Sequence, residues 1–214
     1  MKILLFFLLF IFSCSPTPTK VETPCVTCTP ENLVYASKKN SEEVLNTSSP
    51  SQKISLSQKG IQWAEKCIRL FPEEVGCYYY RAVNKGLYLE TTLLGYKKLL
   101  KEMIADCEIV LQKDPSYDEG GAHRILGNIY LRLPEMAPVD GNKDPAEKEA
   151  RLSLQYGPEN YENLLLMGEF LHSIGKKQDS KIYFQKVKEK LSSLDHRSRF
   201  EQKNLEKVEK FLDK

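Results

Sequence analysis

Apolar side chains along this chain recur at intervals of three and four, the period of a helix that buries one face. Ile54, Ile61, Ala64, Cys67, Ile68 and Phe71 form the first such stripe, and Pro72 ends it. A second helical pattern covers Val75 to Thr92, with Tyr78, Ala82, Leu87 and Leu89 at inward positions. A third runs from Leu94 to Gln112 through Leu99, Leu100, Met103, Ile104, Cys107, Val110 and Leu111, and stops at Asp114-Pro115. Gly120 to Arg132 reads as the next helix, ended near Pro134, and Pro134 to Asp144 reads as a loop. Asp144 is a good N-cap with Pro145 at the first helical position, which predicts a helix to Tyr156 before Gly157-Pro158. Tyr161–Ser173, a turn at Gly175, Gln178–Leu191 and a charged helix from His196 to Leu212 complete the pattern. No stretch reads as a run of strands, so the expected fold class is all-α.

Pro72, Pro115 and Pro158 lie 43 residues apart, and each closes one helical pattern shortly before another begins. Even spacing of this kind marks stacked helical hairpins. The hairpins are expected to occupy residues 31–214 as one helical-repeat domain.

The chain in front of them has a different character. Lys2 precedes an unbroken apolar run from Ile3 to Phe12, followed by Ser13 and Cys14, the layout of a signal peptide over residues 1–13. A membrane-spanning helix needs roughly 20 apolar residues, about twice this run. Ile11-Phe12-Ser13-Cys14 resembles a bacterial lipobox, and that resemblance implies lipidation of Cys14. Ser15-Pro16-Thr17-Pro18-Thr19 cannot continue a helix, so residues 14–30 read as a flexible, lipid-anchored tether. Ser15 is not the aspartate that retains lipoproteins in the inner membrane of many bacteria. The expected location is therefore the bacterial cell envelope, on the outer membrane facing the periplasm.

Lysine and arginine number 31 against 29 aspartates and glutamates, so no strong field steers the protein to nucleic acid or to an anionic bilayer. The lipid anchor alone is expected to hold it to a membrane. Five of the six cysteines follow Cys14, an odd number for an oxidising compartment. Cys25 and Cys28 have C-x-x-C spacing inside the tether, with neither a second pair nor two histidines nearby to complete a metal site. Cys67 and Cys77 lie five residues on either side of Pro72, one on each arm of a predicted helical turn, and are the candidate disulfide. Cys107 falls where a helical repeat wants a small buried residue.

Residue types in these pairs resemble the tetratricopeptide repeat. Leu164, Gly168, Leu171 and Gly175 follow its large and small alternation along a first helix, with Phe184 and Val187 at packing positions of the second. Leu126, Gly127 and Tyr130 give part of the pattern one repeat earlier. The spacing departs from the family, whose repeats span about 34 residues. What the resemblance implies is a right-handed superhelix of helical hairpins. A closer similarity lies in Gly120-Gly121-Ala122-His123-Arg124-Ile125-Leu126-Gly127-Asn128-Ile129-Tyr130, with Gly76-Cys77-Tyr78-Tyr79-Tyr80-Arg81 upstream. Together they resemble the T component of tripartite ATP-independent periplasmic (TRAP) transporters. That family consists of tetratricopeptide-like lipoproteins that form homotrimers and partner a periplasmic solute-binding protein. The stretch Val139-Asp140-Gly141-Asn142 departs from the loop expected there.

Independently of that resemblance, the 43-residue register places Arg81 and Arg124 at equivalent positions, with Met167 in the third copy. Arginine is almost never fully buried without a partner. Two inward arginines therefore read as an internal polar site able to hold a carboxylate bidentately, lined also by Tyr78, Tyr79 and His123, or as cations neutralised by local acids such as Glu90, Asp106 or Glu119. No nucleophile, base and orienting group assemble, and no phosphate loop is present, so neither catalysis nor a cofactor or metal is expected. The expected function is a lipid-anchored scaffold that docks the solute-binding protein of a TRAP-type transporter and holds or passes a small organic anion. The alternative is a cell-envelope adaptor that grips another protein and binds no small molecule.

Overall fold

A computed structural model describes residues 28–92, 95–133 and 144–213. Cys14, the expected leader, most of the expected tether and the Pro134 loop up to residue 143 lie outside the described residues. Those described form nine helices and no strand: α1 Pro30–Asn46, α2 Pro50–Leu70, α3 Val75–Leu89, α4 Tyr96–Lys113, α5 Tyr117–Arg132, α6 Pro145–Tyr156, α7 Tyr161–Ser173, α8 Lys177–Ser192 and α9 Arg199–Leu212.

The three evenly spaced prolines sit in one recurring turn. Phe71, Asp114 and Gly157, each preceding a proline, take nearly the same conformation, with φ/ψ of −137°/69°, −152°/90° and −139°/73°. The proline ring clashes with a helical backbone in the residue before it, so the helix must stop there. Each turn is then closed by an N–H three residues on: Glu74 to Phe71 O at 3.0 Å, Tyr117 to Asp114 O at 3.2 Å and Asn160 to Gly157 O at 3.2 Å. Identical turns give repeated packing. Each helix packs on the next, and α1 also packs on α3, α3 on α5, and α5 on α7.

Ahead of Ile54, where the first apolar stripe begins, lie one helix that the periodicity does not predict and an earlier start to the next. Thr29 and Pro30, expected at the end of the tether, instead start α1: Thr29 Oγ1 accepts from the Asn32 N–H, and proline takes the first helical position. The buried positions of α1 are Leu33, Ser37, Ser41 and Val44. Serines supply half of that stripe, which hides its period from a count of apolar residues. Ser49 and Pro50 start α2 in the same way, four residues before the first apolar position.

The main core lies among α3 to α7 and includes Tyr78, Tyr79, Tyr80, Cys107, Val110, Leu126, Met167 and Phe170. Cys107 is a free thiol with no exposure, and burial pushes it well above the usual thiol range. A second core joins α7, α8 and α9, where Phe184 stacks on Phe211 at 4.6 Å and His172 meets Phe211 edge-on at 4.7 Å. At the far end α9 returns to α1, with the Arg199 N–H donating to Asn46 Oδ1 at 3.3 Å.

The first helices approach closely through small residues. Ser37 Oγ donates to Gly60 O at 2.9 Å, and Asn84 Nδ2 donates to Ser37 O at 3.1 Å and Tyr80 O at 2.8 Å. A Cβ on Gly60 would lie 2.2 Å from Asn84 Oδ1, and Asn84 is fully buried. Gly60→Ala is therefore expected to destabilise the protein by about 1–3 kcal/mol, the usual cost of overpacking a filled seam. Urea unfolding followed by circular dichroism measures it, and an unchanged midpoint would mean that the α2–α3 seam is looser than described.

Candidate functional site

Arg124 sits at the centre of the most extensive buried polar network among the described residues. The chain enters α5 through Asp118, Glu119 and Gly120, three successive residues in the left-handed region with φ of 51°, 55° and 78°. Such a conformation costs roughly 1–2 kcal/mol for each residue that carries a Cβ, so surrounding contacts must hold it. Asp118 Oδ2 accepts from Arg124 Nη2 at 2.7 Å and from the Tyr79 hydroxyl at 2.5 Å. Arg124 Nε reaches Glu162 Oε2 at 2.9 Å, and Nη1 donates to Asn163 Oδ1 at 2.8 Å. Nη2 also reaches the Tyr79 oxygen at 3.2 Å, and Nη1 the Asp118 carbonyl at 3.5 Å.

Asn163 in turn donates to the carbonyls of Glu119, Ser153 and Gly157 at 2.9, 2.9 and 3.0 Å. It thereby ties the left-handed turn at the start of α5 to the end of α6 and the turn before α7. The double glycine of the sequence has two separate reasons. Gly120 supplies the left-handed φ, whereas a Cβ on Gly121 would lie 2.5 Å from the Tyr79 hydroxyl.

Electrostatics agree with this geometry. Burial works against the charge on Arg124, but Tyr79, Glu162 and Asp118 outweigh it and hold the guanidinium more basic than usual. Burial pushes the Tyr79 phenol well above its ordinary range, so it stays a donor.

The other expected site residues belong to separate networks. Arg81 forms a bidentate pair with Asp106, Nε to Oδ2 at 2.9 Å and Nη2 to Oδ1 at 2.5 Å, and lies 5.7 Å from the Tyr78 ring centroid. Lys85, 3 % exposed, adds a second cation at 3.3 Å from Asp106 and 2.9 Å from Glu102. The Lys85 hydrogen bond lowers the Glu102 pKa. The Tyr78 hydroxyl donates to Pro72 O at 3.0 Å. His123 meets Glu149 through Nδ1 at 2.6 Å, and its ring stacks on Tyr156 at 5.6 Å.

Thus Arg124 and Tyr79 share one network, Arg81 and Tyr78 another, and His123 a third. Of the acids named from sequence, Asp106 pairs with Arg81. Glu119 receives Asn160 Nδ2 instead of Arg124. Asp118, Glu162 and Glu149 carried no sequence signal, because their relation to Arg124 and His123 depends on the left-handed turn and on the crossings of α5 with α6 and α7. Every nitrogen of the Arg124 guanidinium already meets an internal acceptor, which leaves no fork to receive a carboxylate ligand.

Cys67 and Cys77 are joined by a disulfide with 5.7 Å between Cα atoms. Among the described residues no group of His, Cys, Asp or Glu is placed to hold a metal ion, and no helix is long and apolar enough to cross a membrane. No protein-family model matches the sequence, and no curated protein matches it.

The described surface also carries a groove of about 740 Å³ along the seam of α1 and α2, lined by Lys39, Glu42, Glu43, Asn46, Gln52 and Lys59 among others. Tyr35 (63 % exposed) and Trp63 (38 %) continue the two lining faces at helical spacing. Lys66 Nζ lies 5.8 Å from the Trp63 ring centroid.

Arg124→Ala would leave two carboxylates facing each other beside Asn163. The expected loss is about 3 kcal/mol, at the low end for a broken buried ion pair because Asp118 and Glu162 are a third exposed. Arg124→Lys restores less than half of it, since one ammonium cannot span the same acceptors. Urea midpoints of both variants measure this, and wild-type stability in Arg124→Ala would contradict a structural role.

Proposed function

We propose that this protein is a lipid-anchored periplasmic scaffold of tetratricopeptide-like helical hairpins that docks another protein, with the solute-binding protein of a TRAP-type transporter as the partner. The supporting observation is the same X-Pro turn recurring every 43 residues, each followed by a helix that packs on both its neighbour and the helix two places away. Stacks built this way bind partners over extended surfaces. The resemblance around Gly120 to Tyr130 supplies the partner class, and Cys14 supplies the anchor.

An anion-holding role for Arg81 and Arg124 is not part of this reading, because acids inside the fold engage both side chains. The docking face is the α1–α2 groove with its rim of Tyr35 and Trp63. Exposed aromatic side chains beside charged ones are the residues that dominate protein interfaces. Fold by itself does not choose a function, so the partner must be tested directly.

With the full chain reconstituted in vesicles, a periplasmic solute-binding protein of a TRAP-type transporter from the same organism is expected to bind saturably. Trp63→Ala and Tyr35→Ala are each expected to weaken binding about tenfold, as truncation of an interface anchor does. Cys14→Ala should abolish incorporation of a palmitate analogue and release the chain from membranes. Undiminished affinity in both aromatic variants would remove this docking face, and absence of binding by the wild type would remove the partner.

A further inference from the structure

The inward positions of α2 are all small: Ser57, Gly60, Ala64 and Cys67. Its large side chains point elsewhere. Leu56, Trp63 and Leu70 follow one another at intervals of seven, and Lys59 and Lys66 each stand three places after the first two. These five residues mark one line along the helix at alternating steps of three and four, the period of a helix-pairing seam. Leu70 is 48 % exposed, Trp63 and Lys59 are exposed, and Leu56 and Lys66 are half-buried. The line begins in the α1–α2 groove, which Leu56 and Lys59 help to form, and runs past Trp63 to the last residue of the helix.

Charge selects what can lie on this seam. Among the described residues neither Lys59 nor Lys66 meets a carboxylate, and Lys66 Nζ rests beside the Trp63 ring. A second copy of α2 would crowd four lysines onto one seam, so self-pairing is disfavoured. Segments that adhere to anionic bilayers cluster roughly four to eight lysines or arginines, and this line has two. We propose that Leu56, Lys59, Trp63, Lys66 and Leu70 receive an amphipathic helix of the partner, with apolar and acidic residues alternating at the same steps of three and four. Its apolar side chains pack on Leu56, Trp63 and Leu70. Its carboxylates, separated by seven residues or about 10.5 Å along the axis, each face one lysine. Trp63, central on the line and flanked by both cations, becomes covered. This inference rests on the docking reading and names the element of the partner that the face takes.

Trp63 is the only tryptophan of the chain, so its emission reads the seam directly. The full chain in phosphatidylcholine vesicles is titrated with a synthetic helical peptide in which leucine and glutamate alternate at steps of three and four. The same peptide with lysine in place of glutamate is the control. The glutamate peptide is expected to bind saturably and to shift the Trp63 emission to the blue, and the lysine peptide to bind about tenfold more weakly or less. Leu70→Ala is expected to weaken the glutamate peptide about tenfold. The double variant Lys59→Glu, Lys66→Glu should reverse the preference, with an unchanged circular dichroism spectrum because both side chains lie outside the core. No saturable shift with either peptide, or equal binding of the two, would overturn the proposal. A blue shift produced by phosphatidylserine vesicles in the absence of peptide would overturn it too, by giving the seam to a bilayer. The two readings fail separately: weakened binding of the solute-binding protein in Trp63→Ala, without any response to the peptides, would keep the docking face and remove the helix.

Discussion

A guanidinium can be enclosed in a fold only where its N–H groups meet acceptors, and the middle of this molecule is arranged around that requirement at Arg124. The left-handed turn at Asp118, Glu119 and Gly120 brings a carboxylate and a carbonyl back onto α5. The Tyr79 hydroxyl arrives from α3, and Glu162 and Asn163 arrive from the start of α7. Through Asn163 the same network reaches the carbonyls that end α6. Backbone strain in the turn is thereby offset by charge-assisted bonds, and three successive hairpins are fixed in one register. The Arg81, Lys85, Asp106 and Glu102 group does the corresponding work between α3 and α4, with two cations matched to two anions.

On the proposed docking reading, binding of partners falls to the outside of the fold. Side chains that from sequence read as lining an internal site are consumed in holding it shut, and the exposed aromatic side chains of Tyr35 and Trp63 lie elsewhere, on the first hairpin. That hairpin has a seam of serine and glycine, closed by Asn84 of α3, in place of a thick apolar core. A disulfide at its end, next to the entering chain, compensates for the missing burial.

Much of this was legible in advance, for identifiable reasons. Proline after a helix acts locally, so the stops at Pro72, Pro115 and Pro158, the cap at Asp144 and the span Tyr161–Ser173 follow from neighbouring residues alone. Apolar periodicity marked the helices from α2 onward. It missed α1, where Ser37 and Ser41 occupy inward positions that a hydrophobic count passes over. The 43-residue register found Arg81 and Arg124 equivalent, yet their partners differ: Asp106 follows on the next helix, whereas Asp118 lies in the left-handed turn at the start of α5 itself and Glu162 in the first turn of α7. A left-handed pair of acidic residues leaves no mark in a periodic pattern, so that network needed coordinates. His123 illustrates the same limit, since Glu149 lies on α6, beyond a connecting segment whose length alone says nothing about the crossing.

The account turns on whether the buried arginines serve the fold or a ligand. Calorimetric titration of the intact protein with small mono- and dicarboxylates, paired with ¹⁵N spectra of the arginine Nε groups, decides it most directly. The account predicts no saturable heat and an Arg124 Nε resonance that does not move and is slow to exchange with solvent. Saturable binding that shifts that resonance would contradict it.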